Sequence, residues 1–371
     1  MSYLQVKIAD IQIYSVSIPL KAPVKMAGVT VQSAENIIIC VLGDNGISGW
    51  GEASSAPTMT GEFVQGMVAA AHFLKSRLIG ASIANLQDVK TLIKTPLYGN
   101  DGAISAIEMA MLDMFARTNS CSLIELLGGA TRQSARALTM IAGGTLDEEI
   151  GLAKSKQRQG FTAFKIKVGS FSPKEDLMRC SAIRKALGNE AFISADANEG
   201  YETSQATEFA KAAKKSGVDF FEQPVPAYDV RLIKDVASAS SVPLGADEGV
   251  HSLSDISELV SASAVKGCSL KTIKLGGMLA VLDAARHAHS LGLNINLAGK
   301  VAETSISSSA VVILSCLVPN INWDVSVTNQ YLEIDPVTNC LAIEQGRVSG
   351  PKGIGLGTEI DMKKLRPFLA S

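Results

Sequence analysis

The sequence predicts an α/β protein: a (β/α)7–8 TIM-like barrel with an α+β N-terminal capping domain that the C-terminal tail completes. Three observations point there. Asp196, Glu222 and Asp247 lie roughly 25 residues apart, about one strand-plus-helix unit, each at the tail of an apolar, strand-like run. Lysines flank the series, Lys165 and Lys167 before it and Lys271 after it. At 371 residues the chain also exceeds the ~250 of a typical barrel, leaving roughly 120 for a second unit.

The capping domain is expected over residues 1–130. Val6–Ile18, Ile37–Leu42 and Ile47–Glu52 have strand composition, and Gly43-Asp44-Asn45-Gly46 suits a hairpin turn. Met67–Leu78 and Ile104–Ala116 follow with helical spacing, the second repeating Ile104, Ile107, Met111 and Phe115 on one face. Two Gly-containing segments, Pro23–Thr30 and Ala56–Gly61, have the character of lids, and their Met and Val residues favour a partly apolar ligand.

The barrel is expected over residues 131–345. Its strands are Ala137–Ala142, Ala163–Val168, Phe192–Asn198, Val218–Pro224, Pro243–Glu248, Ser269–Leu275, Leu293–Leu297 and, more weakly, Ile321–Val325. Helices such as Asp176–Leu187 and Thr203–Lys215 fill the gaps. Residues 346–371 are Gly-rich and irregular, as befits a tail returning to the first domain. Gly350 to Gly357 looks like a phosphate loop, but neither a clear strand before it nor a Gly-Lys-Ser/Thr after it supports that.

Composition narrows the class. With 47% hydrophobic and 19% charged residues the chain is a soluble globular protein with a large core. A net charge of −2 and no local Lys/Arg cluster exclude a nucleic-acid footprint. Ala310–Val318, interrupted by Ser315, is too short to span a bilayer, and Met1–Asp10 carries no secretory pattern. The six cysteines form no Cys-x-x-Cys pair, which argues against zinc or redox motifs and for a reducing, cytoplasmic setting.

Side-chain alternation puts Lys165 and Lys167 on one strand face and Phe164, Ile166 and Val168 on the other; Asp196 shares its face with Asn198, and Lys271 with Ser269 and Ile273. Any one of these charges could be a rim residue or a cap. Five inside apolar strands need partners or a metal. Oxygen-only donors without histidine favour Mg²⁺, or Mn²⁺, over zinc. Strands two and six are opposite in a ring of eight, so Lys167 and Lys271 should face each other across the mouth. A carboxylate substrate on the metal would then offer one face of its α-carbon to each lysine. Burial and the neighbouring Lys165 are expected to lower a lysine pKa to ~7–8, the range of a general base.

Phe164–Gly169 (FKIKVG), Asp196-Ala197-Asn198, Phe221–Pro224 (FEQP), Ala246-Asp247-Glu248 and Lys271…Gly276-Gly277 together resemble the enolase superfamily, more narrowly its muconate lactonizing enzyme subgroup. Gly49–Glu52 (GWGE), the Ala106–Asp113 helix and Leu127-Gly128-Gly129 resemble that family's cap and its junction with the barrel. The resemblance implies Asp196, Glu222 and Asp247 as ligands of Mg²⁺, Lys167 and Lys271 as paired acid/bases, and Lys165, Asn198, Glu303 and Asp324 as substrate-binding residues. Enolase-superfamily sites couple such bases to Mg²⁺. The implied activity is a racemase, epimerase or cycloisomerase acting on a small carboxylate, with a dehydratase as the alternative and a homo-oligomer as the expected state. Ser326 stands where muconate cycloisomerases resemble one another in carrying a Glu, and Asp324-Val325-Ser326 is half of a dipeptide epimerase Asp-x-Asp. The Asp324…Ser326…Tyr331 pattern is closer to the N-acylamino-acid racemase and succinylbenzoate synthase branch. A Schiff-base aldolase using Lys165 or Lys167, and a non-catalytic barrel, are the competing classes.

Overall fold

A computed structural model describes residues 3–26, 29–94 and 97–370, with backbone alone at 25, 26 and 29. Its centre is a ring of eight parallel strands in sequence order. They are Leu138–Ile141, Ala163–Lys167, Phe192–Asp196, Phe220–Glu222, Leu244–Ala246, Gly267–Leu270, Asn294–Ala298 and Val325–Ser326. The eighth meets the first through the parallel bridge Ala137–Val325. Helices such as Leu146–Arg158, Pro173–Leu187 and Met278–Ser290 join successive strands, and the first two open with Thr145–Glu148 and Ser172–Glu175 capping boxes. Phe164, Ile166 and Val168 are buried, as alternation requires. Trp323 stacks on Phe220 at 4.0 Å. A Cβ at Gly245 or Gly267 would come within 2.7 or 2.3 Å of its ring, so those two glycines make room for the indole.

The sixth strand is shorter than its apolar run suggests. It stops at Leu270, and Thr272–Leu275 forms one helical turn ending at Gly276, whose φ is +83°. Lys271 is the joint between them, and Ile273 does not share a strand face with it.

The cap is a four-stranded antiparallel sheet followed by helices. Its first two strands, Val6–Met26 and Val29–Gly43, form a long hairpin. Within the Pro23–Thr30 segment, Lys25 and Met26 therefore pair with Thr30 and Val29 as strand ends; residues 27 and 28, and the side chain of Met26, lie outside the described residues. Ser48–Ser54 and Ser82–Ile83 complete the sheet.

The helix Asp101–Thr118 has no solvent face: every residue from Gly102 to Ala116 is buried. A single-face pattern underestimates it because the cap sheet packs on one side and the barrel on the other. Gly49 and Gly51 permit the contact, since a Cβ at Gly51 would lie 2.0 Å from the Ala106 carbonyl oxygen. Two acidic side chains fasten cap to barrel. Glu52 accepts the backbone N–H groups of Thr304 and Ser307, at 2.9 and 3.1 Å, at the start of the helix Ser305–Leu317. Glu108 accepts those of Met278 and Leu279, at 2.6 and 2.9 Å, at the start of the helix Met278–Ser290. The tail returns to the cap: Leu356 N–H donates to Asp113, and Ala370 N–H to the Ser15 carbonyl.

This packing gives a stability contrast. Gly51→Ala forces a methyl into rigid helix backbone and should lower stability by about 2–3 kcal/mol. Gly66, exposed within the helix Val64–Leu78, has nothing within 4 Å of a built Cβ. Gly66→Ala should raise stability by about 0.5–1 kcal/mol. Urea midpoints of the two variants check both signs; equal midpoints would contradict the close approach at Gly51.

Candidate active site

The second to sixth strands end, on one side of the ring, in charged residues. Lys167, Asp196 and Glu222 are the last residues of their strands, and Asp247 and Lys271 follow theirs directly. A cleft of about 920 Å³, its open mouth included, is lined by Lys165, Lys167, Asp196, Asn198, Asp247 and Lys271. Glu222 lies beneath them, 2.6 Å from Lys165 Nζ, which is also 3.5 Å from Asp196 Oδ2. Lys167 Nζ donates to Asp196 Oδ2 at 2.6 Å and to Asn198 Oδ1 at 2.5 Å, and Lys271 Nζ donates to Asp247 Oδ2.

Two side chains that strand reading missed hold Asp247. Lys274, fully buried, donates to its Oδ1 at 2.8 Å and to its carbonyl, and also to the Ser269 carbonyl. Gln223 Oε1 accepts the Asp247 N–H at 2.8 Å, from a backbone with φ of +35°. The second lysine of Lys271-Thr272-Ile273-Lys274 and the Gln of FEQP were the available signals. Neither is legible without the helical turn and the strained loop that aim them. Ser269 in turn donates to Glu222 Oε1 at 2.7 Å.

Asp324 is a correction. It precedes the eighth strand and does not line the cleft. Its carboxylate takes both Arg136 Nε and Nη2, at 2.7 and 2.9 Å, next to Phe192, over which the same guanidinium lies. The pair ties the eighth strand to the chain entering the first. The cleft wall at the eighth strand is Ser326, Val327 and Thr328. Glu303 is a second correction: it is 1% exposed and sits behind the wall against Gly299, where a Cβ would come 2.3 Å from its Oε2. Burial, helped by Glu52, pushes its pKa up to about 8.

The carboxylates dominate the charges at the floor. Burial alone would push the Lys271 ammonium down, but Asp247 beside it outweighs burial and raises its pKa. Lys165 is raised likewise, burial being overcome by Glu222 and Asp196. At Lys271, therefore, the lowering expected of a base is absent while its ion pair with Asp247 stands. Asp196 is buried yet held low by Lys167 and Lys165, whereas burial raises Glu222.

Among the described residues no three His, Cys, Asp or Glu side chains stand as a preformed metal group, because ammonium groups are interleaved with the carboxylates. The donor chemistry nevertheless fits a hard divalent cation. Asp196, Glu222 and Asp247 are all at most 2% exposed, offer only oxygen, and repel one another electrostatically. Glu222 Oε2 has only the Lys165 ammonium, at 2.6 Å, as its partner.

Thr58 and Met59, from the second lid segment, cover the cleft, and Met59 Sδ lies 3.7 Å from Lys271 Nζ. Leu138, Met140, Val301, Val327 and Tyr331 add a largely apolar wall. Among the described residues no helix is long and apolar enough to cross a membrane.

Comparison with known proteins places the geometry in context. Residues 150–364 match the enolase C-terminal domain-like family, and residues 8–128 the mandelate racemase / muconate lactonizing enzyme N-terminal domain. A chloromuconate cycloisomerase of Pseudomonas putida is 29% identical over 98% of this chain and 99% of its own length. An N-succinyl-L-Arg/Lys racemase of Bacillus cereus is 28% identical over 82% of each chain. The substrate-liganded L-Ala-D/L-Glu epimerase of Bacillus subtilis superposes with a TM-score of 0.89 at 28% identity, over 95% of this chain and 98% of that one.

Proposed function

The chain belongs to the mandelate racemase / muconate lactonizing enzyme family of the enolase superfamily, and from that premise we propose that it is an isomerase abstracting the α-proton of a small carboxylate. The observation that supports this most directly is the pair Lys167 and Lys271. They stand on the second and sixth of eight strands and line one cleft, each bonded to a different carboxylate of a buried set. Asp196, Glu222 and Asp247 would hold Mg²⁺, or Mn²⁺. Bound there, it would stabilise the negative charge that builds on the substrate carboxylate as the proton leaves.

The remaining roles belong to the side chains. Lys167 takes the proton from one face of the α-carbon, and Lys271 serves the other. Lys165 faces the substrate carboxylate, and Asn198, tied to Lys167 and to Glu248 at 2.9 Å, fixes the position of the first base. Both bases are engaged by carboxylates in the resting cleft, so they become available only as Asp196 and Asp247 turn to another cation. Gln223 and Lys274 keep Asp247 in place while that exchange occurs. Met59 and the apolar wall exclude water from the reacting carbon.

The relatives act, by name, on chloromuconate, on N-succinyl amino acids and on an Ala-Glu dipeptide. We therefore expect a racemase or epimerase of an acylated amino acid or dipeptide, or a cycloisomerase. Incubating the Mg²⁺-supplemented enzyme in D₂O with N-acyl amino acids, dipeptides and muconates tests the reading. Deuterium should enter the α-position of at least one class, with inversion or ring closure showing which isomerisation follows. Loss of water with deuteration would identify a dehydratase. Absence of α-deuterium across all three classes in folded enzyme would overturn the proposal.

A further inference from the structure

Three buried charges stand beside the end of the second strand, and the proposed chemistry uses none of them. Glu149 comes from the helix after the first strand, and Asp176 and Arg179 from the helix after the second. They are 2, 0 and 7% exposed. Arg179 Nε and Nη2 donate to the two oxygens of Glu149 at 3.0 and 2.5 Å. Its Nη1 donates to Asp176 Oδ1 and, at 3.2 Å, to the carbonyl of Lys167. Asp176 Oδ2 accepts the N–H of Gly169 at 2.9 Å and the Tyr201 hydroxyl at 2.6 Å. Every oxygen of the two carboxylates is thus bonded.

Two of these bonds grip the backbone on either side of Val168, directly after Lys167. The Val168 N–H is held as well, by the Asp196 carbonyl at 2.9 Å. Gly169 has a φ of +88° and packs on the next loop, where an added Cβ would come 3.1 Å from the Ala197 carbonyl oxygen and 3.2 Å from Gly200 Cα. Tyr201 belongs to that loop, and so does Asn198, which accepts from Lys167 Nζ. Asp176 is therefore the common acceptor for the loop behind the base and the loop that orients its ammonium. Among the described residues the network makes no hydrogen bond to Lys271, Asp247 or Lys274. Buried ion pairs are a poor source of stability, since apolar side chains of similar volume often serve as well. What apolar side chains cannot do is bond the Lys167 carbonyl and the Gly169 N–H.

We propose that Asp176 and Arg179 are positioning residues for Lys167, fixing the strand end from which it reaches the substrate while leaving Lys271 untouched. This rests on the α-proton reading of the cleft. Tyr201 extends the device to the loop of Asn198. A reacting group misplaced by about 1 Å can lose roughly 100-fold in rate. Loosening this backbone therefore lowers proton transfer on one face of the α-carbon and spares the other, which Lys271 serves from the far side of the ring.

Two variants provide the test. Arg179→Lys keeps the charge but loses the fork that spans Glu149, Asp176 and the Lys167 carbonyl. Tyr201→Phe removes one hydroxyl and keeps the ring beside Phe209 and Phe221, so it carries the test should Arg179→Lys not fold. α-Deuterium incorporation with Mg²⁺ is measured on each stereoisomer of an exchanged N-acyl amino acid or dipeptide. The isomer that Lys167→Ala fails to exchange reports the Lys167 face. Arg179→Lys should lower kcat for that isomer by roughly 10- to 100-fold and Tyr201→Phe by about 3- to 10-fold, with the other isomer and both KM values within about threefold of wild type. Losses of similar size on both isomers, a larger loss on the other isomer, or none at all would overturn the proposal, because a general loosening of the barrel does not choose a face. Wild type might exchange one face only, or no probe, the latter counting against the α-proton reading itself; backbone hydrogen exchange then decides separately. Faster exchange in the folded variant confined to residues 164–170, with 267–276 unchanged, supports the positioning role, and uniform or unaltered exchange refutes it.

Discussion

Lys167→Ala and Lys271→Ala should each reduce turnover by several orders of magnitude, and they should fail on opposite faces of the same carbon. A positioned general acid or base contributes about 10²–10⁴-fold, and these two also act where charge develops in a water-poor site. In a racemase or epimerase, Lys167→Ala should still exchange the α-proton of one stereoisomer, and Lys271→Ala that of the other. Neither should complete the interconversion. In a cycloisomerase one lysine moves the proton and the other steadies the resulting charge, so both variants lose ring closure and the variant without the proton-moving lysine shows no exchange. α-Deuterium incorporation by NMR, run separately on each stereoisomer, reads the difference. Both lysines are bonded to carboxylates, so removal leaves Asp196 or Asp247 with fewer partners; Lys165 and Lys274 respectively remain. That redundancy should keep the variants folded. Near wild-type turnover in Lys271→Ala would reduce it to a positioning partner of Asp247, and the two-base mechanism would not survive.

Removing divalent ions should have an effect of the same order. Chelation is expected to abolish turnover and Mg²⁺ or Mn²⁺ to restore it, because three buried carboxylates that offer only oxygen converge at the floor of the cleft. Glu222→Gln is the sharper variant. It keeps shape and a carbonyl oxygen for the Ser269 hydroxyl, while Asp196 remains 3.5 Å from Lys165 to hold that ammonium. The variant should bind Mn²⁺ at least about 100-fold more weakly, by titration calorimetry or by the loss of free-ion paramagnetic signal, with its circular dichroism unchanged. Full activity in excess chelator would remove the metal from the mechanism. Unaltered Mn²⁺ affinity in Glu222→Gln would remove Glu222 from the ligand set.

What the sequence makes legible follows from periodicity. Strand ends recur at a fixed spacing in a barrel, and alternation within a strand gives the inward face, so Lys165, Lys167, Asp196 and Asp247 could be placed on one mouth by counting alone. Counting fails where the chain leaves its period. The apolar residues of Thr272–Leu275 read as more strand, yet they form a helical turn whose lysine holds Asp247. Asp324 reads as part of a strand-end motif, but it stands one residue ahead of a two-residue strand, where its nearest cation is Arg136. Glu303 and Lys300 are three residues apart on one loop, and only the path of the backbone at Gly299 decides that the lysine faces the cleft and the acid does not. Hydrogen-bond partners such as Gln223 leave no periodic trace at all.

The buried acids Glu52 and Glu108 have a consequence for how a ligand enters. Each sits in the cap but caps the start of a helix of the barrel, and Glu108 stands on the helix that has no free face. Swinging the cap away would expose that helix on one side, strip two barrel helices of their terminal partners and return two carboxylates to water in a single step. Those losses would fall together, which opposes separation of the two halves. Passage into the cleft falls to pieces small enough to move without touching the weld, the turn that carries Thr58 and Met59 foremost among them. Changes at Thr58 and Met59 are then expected to alter what enters without disturbing what the frame holds still.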